Sequence, residues 1–315
     1  MSLIPGKFRF GLRSLLALTL LVAIPFGLIA GFRHQTLTNF KAIKKLNLND
    51  KAYEACFKGN SITTRFLNHI LEHPQKLVSA ELHWNNRTDY SKLSSLQNLK
   101  SLTFWDCRNI DLEMLPPNLE EIKFFKCRGT SGVDLCEAKK LINLEFYRCD
   151  LLTLRDLKFP SSLQRIKFSD CEYLVNVDGL KPNSNLQTVC LNDNYILQNV
   201  DGLSVLTSLR YLDLSGSENL KNIDGIRSAK GLNALSLHSC SDLKSLDDIS
   251  DLSNLEILDL SVCKSLSNLN GLGQLPRLKR VCILGCSGIT EKEILDLKSD
   301  SSLQFVNQIL FWHFD

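Results

Sequence analysis

Two sets of residues have the types and spacing to do chemistry. His69 and His73 stand four apart with Glu72 beside the second, so on a helix both imidazoles share a face. They could hold zinc there while the carboxylate acts as general base for hydrolysis. Pro74 stops such a helix at once, and no downstream helical glutamate offers itself as a third ligand. The second set is the 11 cysteines, an odd number that leaves at least one without an intrachain partner. Cys107, Cys127, Cys149 and Cys171 recur singly at wide intervals, not as Cys-x-x-Cys chelates, which suits small buried side chains better than metal or redox work. There is no glycine-rich phosphate loop with its Lys-Ser/Thr end. We therefore expect no catalytic residue, no cofactor, no metal and no small-molecule substrate. A zinc hydrolase built on His69, Glu72 and His73 is kept as the rival.

The cysteine interval belongs to a longer pattern, Leu-x-x-Leu-x-Leu-x-x-Cys, repeated every 20 to 23 residues. One copy runs Leu99, Leu102, Phe104, Cys107 and another Leu141, Leu144, Phe146, Cys149. Later copies include Leu186, Val189, Leu191, Asn194 and Leu232, Leu235, Leu237, Cys240. A weaker first copy starts at Leu77 and the tenth ends at Cys286. Apolar residues alternating within Leu-x-Leu mark a short strand with one face inward. Behind the strands a second motif recurs, as Val177-Asp178-Gly179-Leu180, Val200-Asp201-Gly202-Leu203 and Ile223-Asp224-Gly225-Ile226. An Asp before a short apolar step suggests a capped single turn, helical or 3-10, rather than a full helix, for the backs of repeats five to nine. Repeats one to four lack it, so their backs should be less regular.

In one register, these copies resemble the leucine-rich-repeat family in its short-repeat form, over about Leu77 to Cys286. The resemblance implies an α/β solenoid: a curved parallel sheet on the concave face, short helical or 3-10 turns on the convex face, and an inward Asn or Cys capping the turn out of each strand. It also implies binding of a protein or peptide partner, without catalysis.

The order of segments adds a membrane to this expectation. Residues 1–13 are a basic leader, and 14–32 are charge-free and apolar, about the length that crosses a bilayer. We read 14–32 as a single-pass transmembrane helix, 33–76 as helical linker and N-terminal cap, 77–288 as about ten repeats, and 289–315 as C-terminal cap. This arrangement is similar to membrane-anchored leucine-rich-repeat proteins of some bacteria. The alternative is a cleaved leader and a secreted or periplasmic structural protein. Basic residues flank the apolar stretch on both sides, so the positive-inside rule does not decide orientation. With 37 basic against 34 acidic residues, the chain lacks the basic excess that nucleic-acid binding calls for.

If the alternation holds, non-leucine strand positions form columns on the concave face. The residue after Leu-x-Leu gives Trp105, Phe125 and Tyr147, then mostly small residues. The residue inside it gives Lys123, Glu145 and Lys167, alternating in sign. With Trp84 and Arg148 from the next column, these eight residues combine large flat side chains with charges, the composition of binding hot spots. The competing expectation is that the aromatics only stack on each other to support the sheet.

Overall fold

The computed structural model describes residues 53–58, 77–83, 90–108, 110, 115–130, 132–180, 182–183, 185–300 and 303–306. All of them lie in the compact unit Ala52–Asp315. The segment 14–32, the linker, Trp84 and the His69-Glu72-His73 motif lie outside the described residues. Among the described residues no helix is long and apolar enough to cross a membrane.

Each repeat contributes one strand, and the strands pair in chain order into a parallel sheet of twelve. They are β1 (Tyr53–Lys58), β2 (Leu77–His83), β3 (Ser101–Trp105), β4 (Glu121–Phe125), β5 (Asn143–Tyr147) and β6 (Arg165–Ser169), then the shorter β7 (Thr188–Cys190), β8 (Tyr211–Asp213), β9 (Ala234–Ser236), β10 (Ile257–Asp259), β11 (Arg280–Cys282) and β12 (Gln304–Val306). Strand β1 lies before the first repeat seen in the sequence, and β12 after the last, behind the helix α1 (Glu291–Asp300). Thr290 opens α1 with a capping box: its N–H and hydroxyl donate to the Glu293 carboxylate, and its Oγ accepts the Glu293 N–H.

The repeat leucines form the interior. Leu212, Leu235 and Leu258 are each no more than 1% exposed and stand in register on adjacent strands. At the third apolar position of the motif the first full repeats carry phenylalanine instead of leucine. Phe104, Phe124, Phe146 and Phe168 stack nearly parallel, with ring centroids 5.2, 4.7 and 5.1 Å apart. No coil could close alone around so little apolar surface. Burial is shared with both neighbours, which is why the array is continuous.

The capping position behaves as the family resemblance implies, with sulfur for amide in most coils. Each thiol of Cys107, Cys127, Cys149, Cys171, Cys240, Cys263 and Cys286 donates to a backbone carbonyl of the preceding coil, at 2.9–3.8 Å. Asn194 does the same with its amide, donating to Phe168 O at 2.9 Å and Leu191 O at 2.7 Å while its Oδ1 accepts the Cys171 N–H at 2.9 Å. Burial raises the thiol pKa of Cys171, Cys240, Cys263 and Cys286, that of Cys171 to about 12, and so keeps them protonated, as they must be to donate.

Three expectations need correction. The chain turns out of the strand one residue before the Cys or Asn. Asp106, Lys126, Arg148, Asp170, Asp193, Ser239 and Val262 take positive φ there, as do Gly216 and Gly285. The Asp of the second motif is not the cap of its turn: no side-chain cap bond forms at Val200, Ile223 or Leu246. Instead an asparagine two residues earlier accepts its N–H, as Asn176 does for Asp178 and Asn268 for Asn270. Finally, 3-10 turns form at Asp201–Val205, Asp224–Ile226, Asp247–Ile249 and Leu272–Gln274 but not at Asp178, while one does form in the first coil at Tyr90–Ser95. The glycine of the motif is there because coil backs touch. A Cβ on Gly225 would lie 1.9 Å from Val200 O, and one on Gly202 2.2 Å from Val177 O.

Candidate functional site

Strands β3 to β6 pair residue for residue, so alternation converts sequence into columns. Thr103, Lys123, Glu145 and Lys167 stand abreast, as do Trp105, Phe125, Tyr147 and Ser169. Adjacent parallel strands lie about 4.8 Å apart. At that spacing neighbouring side chains in a column must touch. Trp105 and Phe125 stack with centroids 4.1 Å apart and planes 11° from parallel. Phe125 and Tyr147 are tilted by 48° at 5.7 Å, so the stack opens toward β5. All three rings stay half-buried. The aromatics therefore support one another and still present an apolar surface.

The charges beside them form a lateral network. Lys123 Nζ lies 3.0 Å from a Glu121 oxygen and 3.6 Å from one of Glu145. Asn143 Nδ2 donates to both carboxylates, at 2.8 and 3.0 Å, and Ser101 Oγ donates to Glu121 at 2.8 Å. Burial works to raise the Glu121 pKa, but hydrogen bonds from Lys123, Ser101 and Asn143 outweigh it and hold the carboxyl below its ordinary range. Burial likewise works to lower the Lys123 pKa, and the Glu121 and Glu145 carboxylates more than reverse it. Both groups are charged at neutral pH, fixed and partly desolvated, which is the state of a charge poised for recognition. Lys167 stands next in the column, with no ion pair among the described residues. Glu121, Asn143 and Ser101 belong to a third concave column overlooked in the sequence, although the same two-residue alternation places it there.

Arg148 is not a strand residue. It occupies the left-handed position just past β5, ion-paired to Asp170 of the next coil, with its guanidinium carbon 5.3 Å from the centre of the Tyr147 ring. It belongs to the rim of the concavity, where it still borders the aromatic column. Seven of the eight expected residues are thus described: six on the sheet, one at its rim. Trp84 lies outside the described residues.

From β7 onward most positions of the same columns are closed, with Leu284 at the far end left open. Cys190, Ser236, Asp259, Ser261 and Cys282 are buried although they occupy concave positions. Their polar groups bond among themselves. Asp213 accepts from the Ser215 N–H and hydroxyl, Ser215 Oγ lies 2.7 Å from Ser236 Oγ, and His238 Nδ1 lies 2.8 Å from Ser261 Oγ. Burial raises the Asp213 pKa above its ordinary value. Among the described residues no group of three or more His, Cys, Asp or Glu could hold a metal ion.

Comparison with known proteins agrees with this architecture. The family model of Zer-1-like leucine-rich repeats matches residues 200–271, the stretch with regular 3-10 backs. An internalin of Listeria monocytogenes is similar in structure, with a TM-score of 0.53 and 19% identity over 81% of this chain and 79% of its own. The leucine-rich-repeat domain of APL1B has a TM-score of 0.50 and 15% identity, over 92% of this chain and 96% of its own. At these identities the likeness is one of fold. No curated protein matches the chain.

Proposed function

We propose that this chain, a leucine-rich-repeat protein, is a non-enzymatic binding module that holds a protein partner in the N-terminal half of its concave face. The observation that carries the reading is the contrast along one surface. Strands β3 to β6 offer half-buried aromatics beside fixed charges, whereas the strands after them bond their polar groups to each other. Aromatic anchors and partly desolvated charges are what binding hot spots are made of. We further propose that residues 14–32, free of charge and long enough to span, tether the module to a membrane as a single-pass anchor.

The test is site-resolved cross-linking with the full chain in its native cell. A photoreactive side chain at Tyr147 should capture a defined partner, and one at Leu284, at the far end of the same column, should not. Lys167→Glu should cut capture at Tyr147 at least tenfold while thermal unfolding stays within 1–2 °C, because the charge is open to the partner and about neutral to the fold. Equal capture from both ends, or capture indifferent to Lys167, would overturn the binding reading. N-terminal sequencing of membrane-extracted protein tests the tether: loss of the leader would make the protein secreted or periplasmic instead.

A further inference from the structure

Where the strands end, the left-handed turns leave a groove of about 670 Å³ running across the coils of β3 to β6. It is lined by Asp106, Lys126, Arg128, Arg148, Asp150, Leu152, Asp170, Glu172 and Tyr173 around the Cys149 backbone turn. The lining is ordered along the array. Lys126 and Arg128 stand on the β4 coil, exposed and without an ion pair among the described residues, with Arg108 bridged to Arg128 from the coil before. Of the acids near them, Asp106 comes from the coil before, and Asp150 from the coil after is engaged by the Gly129 N–H at 3.0 Å. Two coils further on the sign reverses to Glu172, beside Asp170, which is paired with Arg148. Leu152 lies between the two ends and Tyr173 beside Glu172, 60% and 58% exposed, among the most exposed large apolar side chains described.

Large apolar side chains left open between opposite charges mark an interaction surface, since a soluble surface has no reason to keep that order. We infer that the groove takes an extended peptide segment of the partner carrying an acidic side chain, an apolar side chain and a basic side chain in that spatial order. The acid faces Lys126 and Arg128, the apolar group covers Leu152 and Tyr173, and the base faces Glu172. Lengths agree. Crossing from β3 to β6 spans three strand spacings, about 14 Å, which an extended chain covers in about four residues. Arg148 joins this groove to Tyr147, so the inference rests on the concave-face reading and names the chemistry of the same partner. Opposite charges at the two ends also fix the direction in which a peptide lies, which a uniform patch cannot do.

The experiment uses the full chain in detergent and a fluorescent peptide of two glutamates, Leu-Phe and two lysines, against a peptide of the same composition with alternating charges. The ordered peptide should bind at least fivefold tighter by anisotropy. The double variant Lys126→Glu/Arg128→Glu should lose at least tenfold for it, and recover when the peptide glutamates become lysines. Leu295→Ala, on the exposed face of α1 and away from both surfaces, should leave the affinity for this peptide within twofold, with circular dichroism confirming that both variants fold. Equal binding of the two peptides, or indifference to the charge reversal, overturns the groove. Binding of a heparin oligosaccharide that ignores Glu172→Lys, with no ordered-peptide preference, would reduce it to an anion patch and also overturn it. If Tyr147 cross-linking persists in either case, only the groove falls. If cross-linking is lost while the charge reversal still acts on the peptide, the concave-face reading falls and the groove stands.

Discussion

Strands β3 to β6 and strands β7 to β11 share one register and one capping scheme, yet they treat the concave face in opposite ways. The earlier strands are five residues long, rest on stacked phenylalanines, and keep large or charged side chains half-exposed. The later ones are three residues long, rest on leucines, close their backs with glycine-spaced 3-10 turns, and bury serine, cysteine and aspartate at the same positions. A face that satisfies its own hydrogen bonds has little left to offer a partner. A face whose rings and charges are only half satisfied by neighbours keeps that capacity in reserve. The difference fits a division of labour within a single array, between coils that hold shape and coils with the composition of the proposed binding face.

The largest test of this division is at the interior. Phe124 sits between two rings, so Phe124→Ala removes contacts on both sides and should cost about 3–5 kcal/mol in urea unfolding. A loss below about 1 kcal/mol would mean the ring stack does not set the earlier coils, and the contrast would lose its structural basis. Next comes the back of the solenoid. Gly225→Ala drives a methyl against the Val200 carbonyl, a backbone atom that cannot step aside, and should cost about 1–3 kcal/mol. Gly132, in the looser half, has nothing within 4 Å of a new Cβ, and Gly132→Ala should be close to neutral. Similar losses at both glycines would show that the two kinds of back are packed alike.

How far the sequence could be read follows the same divide. Period and alternation are properties of every residue in a strand, so the sheet, its register and the Lys123-Glu145-Lys167 column were visible before any coordinates. The capping cysteines were visible too, because their period is that of the repeat. What escaped depends on a neighbouring coil. Nothing local in Asn-Val-Asp says that Asn199, not Asp201, turns toward the backbone, and nothing in Arg148 says that it leaves the strand one step before the cysteine. The burial of Cys190 and Cys282 at open-face positions escaped for the same reason: small side chains are covered by what stands beside them. Strand β12 was missed because its copy, Leu303-Gln304-Phe305-Val306, breaks the spacing after α1.

The smallest effect is the sharpest, because the two halves should respond to acid with opposite sign. Hydrogen bonds from Lys123, Ser101 and Asn143 overcome burial and hold the folded-state pKa of Glu121 below its ordinary 4.5. Its contribution to stability is therefore present above that value and disappears as pH falls through the folded one. Asp213 is the reverse case. Burial lifts it above its ordinary 3.8, so its contribution is complete below that value and is lost as pH rises through the folded one. Glu121→Gln should thus lower the melting temperature at pH 7, by an amount equivalent to about 0.5–1 kcal/mol for so accessible a pair, with the deficit shrinking on acidification. Asp213→Asn keeps an oxygen for the Ser215 donors and sheds the confined charge, so it should raise the melting temperature at pH 7, with the gain vanishing as the medium becomes acid. Melting curves of both variants and the parent between pH 7 and 3 decide it. Curves that converge from opposite sides confirm that in one half hydrogen bonds outweigh the burial of a charge and in the other burial outweighs the bonds, while shifts of the same sign would mean that the two faces differ in size and not in kind.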